Sequence, residues 1–300
     1  MSIYLTGASG FVGKNLITKF NKDFDIKKHI RSSEFLIKQN TVIHLAGVAH
    51  DLKNISNKDE YYEVNTELTK QIFDSFLISD STVFIMLSSV KAVSDNVIGS
   101  LVEDCEPNPK THYGKSKLLA ERYILSKNIP ASKRVYILRP CMIHGPNNKG
   151  NLNILYNIII KGFPWILGKF DNERSYCSID NLLFIIKELI NNKKIPSGIY
   201  NIADDVPLST NQVVHLIYQS KNIRPLILNT PKKLIKFLAM LGDIINLPLN
   251  SERLKKITES YVVSNKKIVQ AIDKNLPLSS KAGLIKTLKS FESQNLKYDN

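Results

Sequence analysis

Cysteine is scarce. Cys105, Cys141 and Cys177 are the only three in 300 residues, and they are odd in number, far apart and without CxxC spacing. A disulfide scaffold and a zinc cluster are excluded on that pattern, which fits a reducing, cytoplasmic setting. Long apolar runs are also missing: Leu182–Ile186 is among the longest and stops at Lys187, far short of the ~20 residues a bilayer span requires. No targeting segment is expected, because a turn motif opens at Gly7, where such a segment would have to stay apolar. Arginine is sparse too, seven among 41 basic residues, against 27 acidic ones and a net charge of +14. The lysines are scattered and not interleaved with aromatics, so nucleic acid is not an expected partner. A polyanionic small substrate such as a diphosphate, or an acidic membrane surface, would suit the charge. With 43% apolar and 23% charged residues, a sizeable core is expected and disorder is not.

What is there alternates. Ser2–Leu5, Ile26–Ile30, Thr41–Leu45, Thr82–Leu87 and Arg134–Leu138 are short apolar runs of strand type. Lys14–Phe20, Asn65–Leu77 and His112–Lys127 have helical spacing. Short buried strands separated by helices predict an α/β fold, a doubly wound parallel sheet of Rossmann type. After Pro140 a turn-rich stretch, Gly145–Asn151, leads into helical patterns at Leu152–Lys161, Asn181–Asn191, Thr210–Gln219 and Lys232–Ile245. A dinucleotide-binding domain over 1–145 and a smaller, mostly helical substrate region over 146–300 are expected, with Gly198–Ala203 returning to the sheet.

Gly7, Gly10 and Gly13 sit between the first strand and the first helix. In that context they serve a tight turn, backbone approach to a pyrophosphate and close helix–strand packing. The helix N-terminus that follows offers free N–H groups and a positive dipole end to phosphates, with Phe11 and Val12 beside the glycines as cofactor-binding candidates. The motif, in the order strand, glycines, helix, predicts a bound dinucleotide, NAD or NADP. Eighteen residues past Gly13 stands Arg31. An acidic residue there would favour NAD, whereas an arginine suits a 2′-phosphate and leans toward NADP; Asp23 or Asp25 is the alternative if the strand has slipped.

Tyr113 and Lys117 are four apart in a predicted helix and share one face. A phenol of pKa near 10 becomes a useful base only if a nearby cation stabilises its phenolate. Ser88 and Ser89 end the strand Thr82–Leu87, where a hydroxyl points into the crevice that binds ligands in open α/β sheets. Ser89 is the first candidate for the substrate-binding hydroxyl and Ser88 the second.

Together these segments resemble the short-chain dehydrogenase/reductase family, in its extended, NAD-dependent epimerase/dehydratase branch acting on nucleotide sugars. The resemblance rests on TGASGFVG (Thr6–Gly13), HLAG (His44–Gly47), YGKSK (Tyr113–Lys117), LRPCMIHGP (Leu138–Pro146) and ERSYCSID (Glu173–Asp180), and covers nearly the whole chain. It implies that Tyr113 is the acid/base, that Lys117 tunes it and holds the nicotinamide ribose, and that Ser89 binds substrate. It further implies that Asn65 supports the active-site helix, that Leu45, Ala46 and Gly47 line the cofactor, and that Arg174 grips a sugar-nucleotide diphosphate with Asn151 near the sugar. The implied reaction is 4-epimerisation of a nucleotide-diphosphate sugar, a UDP-sugar first and a lipid-diphosphate sugar second, in the making of surface polysaccharide precursors. An NADPH-dependent 4-ketoreductase is the alternative, and a non-catalytic dinucleotide sensor ranks third because Tyr113, Lys117 and Ser89 are all present. The family is often dimeric, which makes a homodimer an expectation by analogy.

Three departures stand out. Arg31 replaces the acidic residue of NAD-using epimerases. Only thirty residues separate Gly13 from His44, so the cofactor domain is expected to be trimmed or its adenine site built differently. Val90 and Lys91 follow Ser89 where dehydratases carry an acidic pair, which argues against dehydration. Finally, Lys232-Lys233-Leu-Ile-Lys236-Phe-Leu-Ala-Met-Leu is basic and apolar. It reads as a substrate-region helix packed on its neighbours, interrupted by Gly242 and Asp243, with a membrane-surface helix as the alternative.

Overall fold

A computed structural model describes residues 1–30, 34–48, 58–148, 150–245 and 250–295. Arg31 and the expected 2′-phosphate contact lie outside them. The chain runs through β1 (Ser2–Thr6), α1 (Phe11–Phe20), β2 (Asp25–Lys28), β3 (Thr41–His44), α2 (Lys58–Tyr62), α3 (Leu68–Ile78) and β4 (Val83–Leu87). It continues with β5 (Ser100–Leu101), α4 (His112–Leu125), β6 (Arg134–Pro140), β7 (Met142–His144), α5 (Asn151–Ile160), β8 (Tyr176–Ser178), α6 (Ile179–Asn191) and β9 (Gly198–Ile202). Last come α7 (Thr210–Lys221), α8 (Lys232–Ile245), α9 (Ser251–Thr258), β10 (Val262–Val263), α10 (Lys266–Ile272) and α11 (Ser280–Asn295).

Six strands form one parallel sheet in the order β2-β1-β3-β4-β6-β9. β3 is buried throughout and β6 nearly so, as strands covered on both faces must be. Alternation sorts the side chains: Ile3, Leu5 and Ile43 face α1 and α6, while Tyr4 and Val42 face α3 and α4. The result is three layers, helix, sheet and helix. The strand order reverses between β1 and β3, and a crevice opens at such a switch point beyond the strands' carboxyl ends. The glycine turn after β1 and the His44–Gly47 segment after β3 flank it.

The expected return of Gly198–Ala203 is β9, the far edge strand. α6 likewise belongs to the sheet's core, so the region after residue 146 both extends the sheet and builds a second core around Tyr156, Trp165 and Phe291. α6 starts two residues before the expected Asn181, because the Ser178 side chain caps it by accepting from Asp180 N at 3.2 Å. β2 stops at Lys28 as an exposed edge. Among the described residues no helix joins β2 to β3; His29 instead stacks on Phe35 at 4.8 Å and bonds Tyr4 Oη at 2.7 Å. The cofactor domain is trimmed where the short spacing required it. α8 departs from the expected packed helix: only Ile235, Ala239 and Gly242 are buried in it.

Candidate active site

Gly7 holds φ +72°, a left-handed conformation that favours glycine. A Cβ there would stand 2.5 Å from Leu45 C and Ala46 N, so the glycine also lets the two loops of the crevice touch. A Cβ on Gly13 would meet Gly7 O at 2.3 Å, which fixes α1 tightly against the turn. α1 starts after Gly10 with no side-chain cap and no acidic residue in its first turn. Its N–H groups at Phe11, Val12 and Gly13 are therefore left to an anionic ligand. This cradle fits a dinucleotide's pyrophosphate.

α4 is capped by Thr111, whose hydroxyl accepts from Gly114 N at 3.2 Å. Gly114 approaches the Lys91 carbonyl so closely that a Cβ would be 2.3 Å from it, and this brings the start of α4 onto the turn after β4. Tyr113 and Ser89 are thereby brought together, close enough for the Ser89 hydroxyl to act on the phenol. Burial pushes the half-buried Tyr113 phenol above its ordinary value, Ser89 pulls it back, and Tyr61, edge-on at 6.2 Å, adds to the rise. The net direction is upward, opposite to the expected lowering. Lys117 is the group pushed down, to about 8, by burial, with Glu121 opposing. Its Nζ donates to Leu87 O at 3.1 Å and lies 2.8 Å from where a Gly47 Cβ would be, so the ammonium stands on the floor of the crevice.

Asn65 is fully buried in a π-helical turn, Glu63–Glu67, between α2 and α3; such turns recur at functional sites. Its amide donates to Ser116 Oγ (3.0 Å) and Val48 O (3.1 Å) and accepts from Val48 N (3.0 Å). It ties α4 to the segment after β3. His44 extends the tie. Thr69 gives its hydroxyl hydrogen to Asn65 O (2.7 Å), so His44 Nε2–H must donate to Thr69 Oγ1 (2.8 Å). His44 Nδ1 then accepts from Thr6 Oγ1 (2.7 Å), which accepts from Ala46 N (3.3 Å). One directed chain of hydrogen bonds runs from the cofactor loop to Asn65. Burial, and then repulsion by Lys117, hold His44 neutral, with a pKa of about 3.

Ser88 and Ser89 part company. Ser88 Oγ donates to Glu121, which also holds Arg139 through Nε at 3.1 Å and Nη2 at 2.6 Å, nearly fully buried. Ser88 is thus a support of that ion pair. Ser89 faces a cavity of about 220 Å³ together with Lys91, Met142, Arg174 and Tyr261. Arg174 Nη1 donates to Lys256 O in α9. Asn151 is exposed at the start of α5, and no described contact brings it to this cavity.

Sequence reasoning missed Glu121, although Tyr113, Lys117 and Glu121 follow one another at four-residue steps on one face of α4. It also missed Tyr261, whose ring lies 4.2 Å from Lys91 Nζ; only the tertiary fold brings those two together.

The profile of the NAD dependent epimerase/dehydratase family matches residues 22–203. The chain belongs to that family. As a member it is an NAD(P)-dependent enzyme of the extended short-chain dehydrogenase type, in the nucleotide-sugar epimerase/reductase class. A UDP-glucose 4-epimerase from Vibrio cholerae is 30% identical over 241 residues, 71% of this chain and 74% of that one. An N-acetyl-alpha-D-glucosaminyl-diphospho-ditrans,octacis-undecaprenol 4-epimerase from Escherichia coli O157:H7 is 28% identical over 290 residues, 89% and 84% of the two chains. RMD from Pseudomonas aeruginosa, solved with NADPH, shares the fold at a TM-score of 0.75, with 18% identity and coverage of 98% and 99%. Among the family's described residues here, no helix is long and apolar enough to cross a membrane, and no cluster of potential metal ligands occurs.

Proposed function

We propose that this chain is a 4-epimerase of diphosphate-linked sugars, oxidising and re-reducing the sugar's C4 through a 4-keto intermediate. The observation that carries the reading is the convergence of Tyr113 on Ser89, which lines the cavity, with the Lys117 ammonium on the crevice floor beside Gly47. The glycine cradle, the α1 N-terminus and the Leu45–Gly47 segment would hold NAD or NADP, which when bound would supply the hydride acceptor and donor for C4. Tyr113, as its phenolate, takes the proton of the C4 hydroxyl and, as the phenol so formed, gives it back, while Ser89 donates to the same oxygen and holds it in place. Lys117 stabilises the phenolate that accepts the proton and would orient the ribose. Arg174 and Lys91 place two cations on the cavity wall for a diphosphate.

The relatives support both a UDP-sugar and a polyprenyl-diphosphate sugar as substrate, in surface polysaccharide precursor synthesis. A 4-ketoreductase reading draws on Arg31 and on the 4-keto-sugar reductase among the relatives. The test is incubation of purified protein with UDP-glucose and UDP-N-acetylglucosamine, following the 4-epimers by NMR, together with mass spectrometry of released cofactor. Interconversion without added reductant supports the proposal. Stoichiometric NADPH consumption with a 4-keto sugar, and no interconversion, overturns it.

A further inference from the structure

We propose that α8 is a docking helix whose outer face lies on an anionic lipid surface. At about 100° per residue, Ile235, Ala239 and Gly242 form one stripe, and these are the helix's buried residues. Phe237, Met240, Leu241 and Ile244 point the other way, Leu234 and Leu238 lie to one side, and all six are exposed, Phe237 at 56%, Met240 at 60% and Ile244 at 76%. The same spacing sets Lys232 and Lys236 on one flank between the two apolar faces and Lys233 on the outer face itself; Lys232 Nζ lies 5.7 Å from the centre of the Phe170 ring. A helix apolar on its outward face as well as its inner one needs a second partner.

Charge decides which. None of the three lysines has an ion-pair partner among the described residues. The helix's single acid, Asp243, gives its carboxylate to Ser251 N at 3.0 Å and to the Ser251 hydroxyl. Exposed Lys255 lies on α9, which packs against α8. A second copy presenting the same helix would offer these lysines only the Asp243 carboxylate, which Ser251 already takes. An anionic bilayer meets them with the opposite sign, and takes the apolar face into its headgroup boundary.

Position gives the docking a purpose. α9 joins the helix to the cavity rim, since Lys256 O accepts from Arg174. A membrane-anchored diphosphate sugar would reach that rim with its lipid left in the bilayer. This purpose rests on the epimerase reading; the docking does not.

The test is co-sedimentation of the purified full chain with phosphatidylcholine vesicles, with and without phosphatidylglycerol. Wild type pellets with the anionic vesicles and is released by salt. Each of the three lysines removed weakens partition by roughly fivefold. Phe237→Glu with Ile244→Glu stays in the supernatant, with melting temperature and cofactor content unchanged. Failure of wild type to bind anionic vesicles at low ionic strength overturns the proposal. So does a wild-type dimer that the double substitution dissociates while vesicle binding is nil. Vesicle binding without epimerisation of any sugar leaves the docking standing and sinks the reaction instead.

Discussion

His44 makes the fold acid-labile in a way that can be measured. Its pKa is about 3 in the folded chain, against an ordinary 6.5, because it is buried between Thr6 and Thr69 and faces Lys117. Below pH 6.5 the unfolded chain takes up a proton there that the folded chain refuses. Stability from this site is therefore complete above pH 6.5 and is lost as pH falls toward 3. The slope is roughly 1.4 kcal/mol per pH unit and the total on the order of 5 kcal/mol, a large part of a typical 5–15 kcal/mol domain stability. His44→Phe removes the titration and leaves hydroxyls short of partners, costing about 1–3 kcal/mol at pH 8. Urea unfolding from pH 8 to pH 5 should thus show wild type more stable at the alkaline end, with the two curves converging as the pH drops. Other histidines titrate alike in both proteins and cancel in the difference. An equal slope in the variant, or an NMR titration of His44 near 6.5, would refute the reasoning.

Glu121→Gln should move the alkaline limb of kcat/KM to lower pH, because Glu121 is what holds the Lys117 ammonium up against burial. Glu121→Ala should cost about 3–5 kcal/mol by stranding Arg139, and most of that should return in Glu121→Leu with Arg139→Met; denaturant titration checks both. Tyr113→Phe should lower kcat about 10²–10⁴-fold with cofactor content unchanged. Ser89→Ala should lower kcat by about 10²-fold, whereas Ser88→Ala should lower the melting temperature and spare kcat. Arg174→Ala should raise KM for a diphosphate sugar about 10–100-fold, read from initial rates.

The parallel sheet was legible because its strands are short and apolar without alternation, and the glycines announced the turn before α1. Tyr113 and Lys117 were legible through helical spacing once α4 was placed. Ser88 and Ser89 could not be told apart in sequence: adjacent residues at a strand end point opposite ways, and only the packing of α4 shows that Ser88 meets Glu121. His44 carried no local sign of its role, since its partners Thr6 and Thr69 come from β1 and α3. The outer face of α8 looked like core because hydrophobicity records what a side chain avoids, not what covers it.

The π-helical turn at Glu63–Glu67 has a consequence for chain length. It accommodates one residue more than a regular helix would over the same span. Deleting a single residue between Tyr62 and Leu68 would relax the backbone into ordinary helix. The same deletion would swing Asn65 by about 100°, away from Val48 and Ser116. Homologues can exchange side chains along this stretch, but an indel there detaches the crevice floor from its anchor even when every side chain of the site survives.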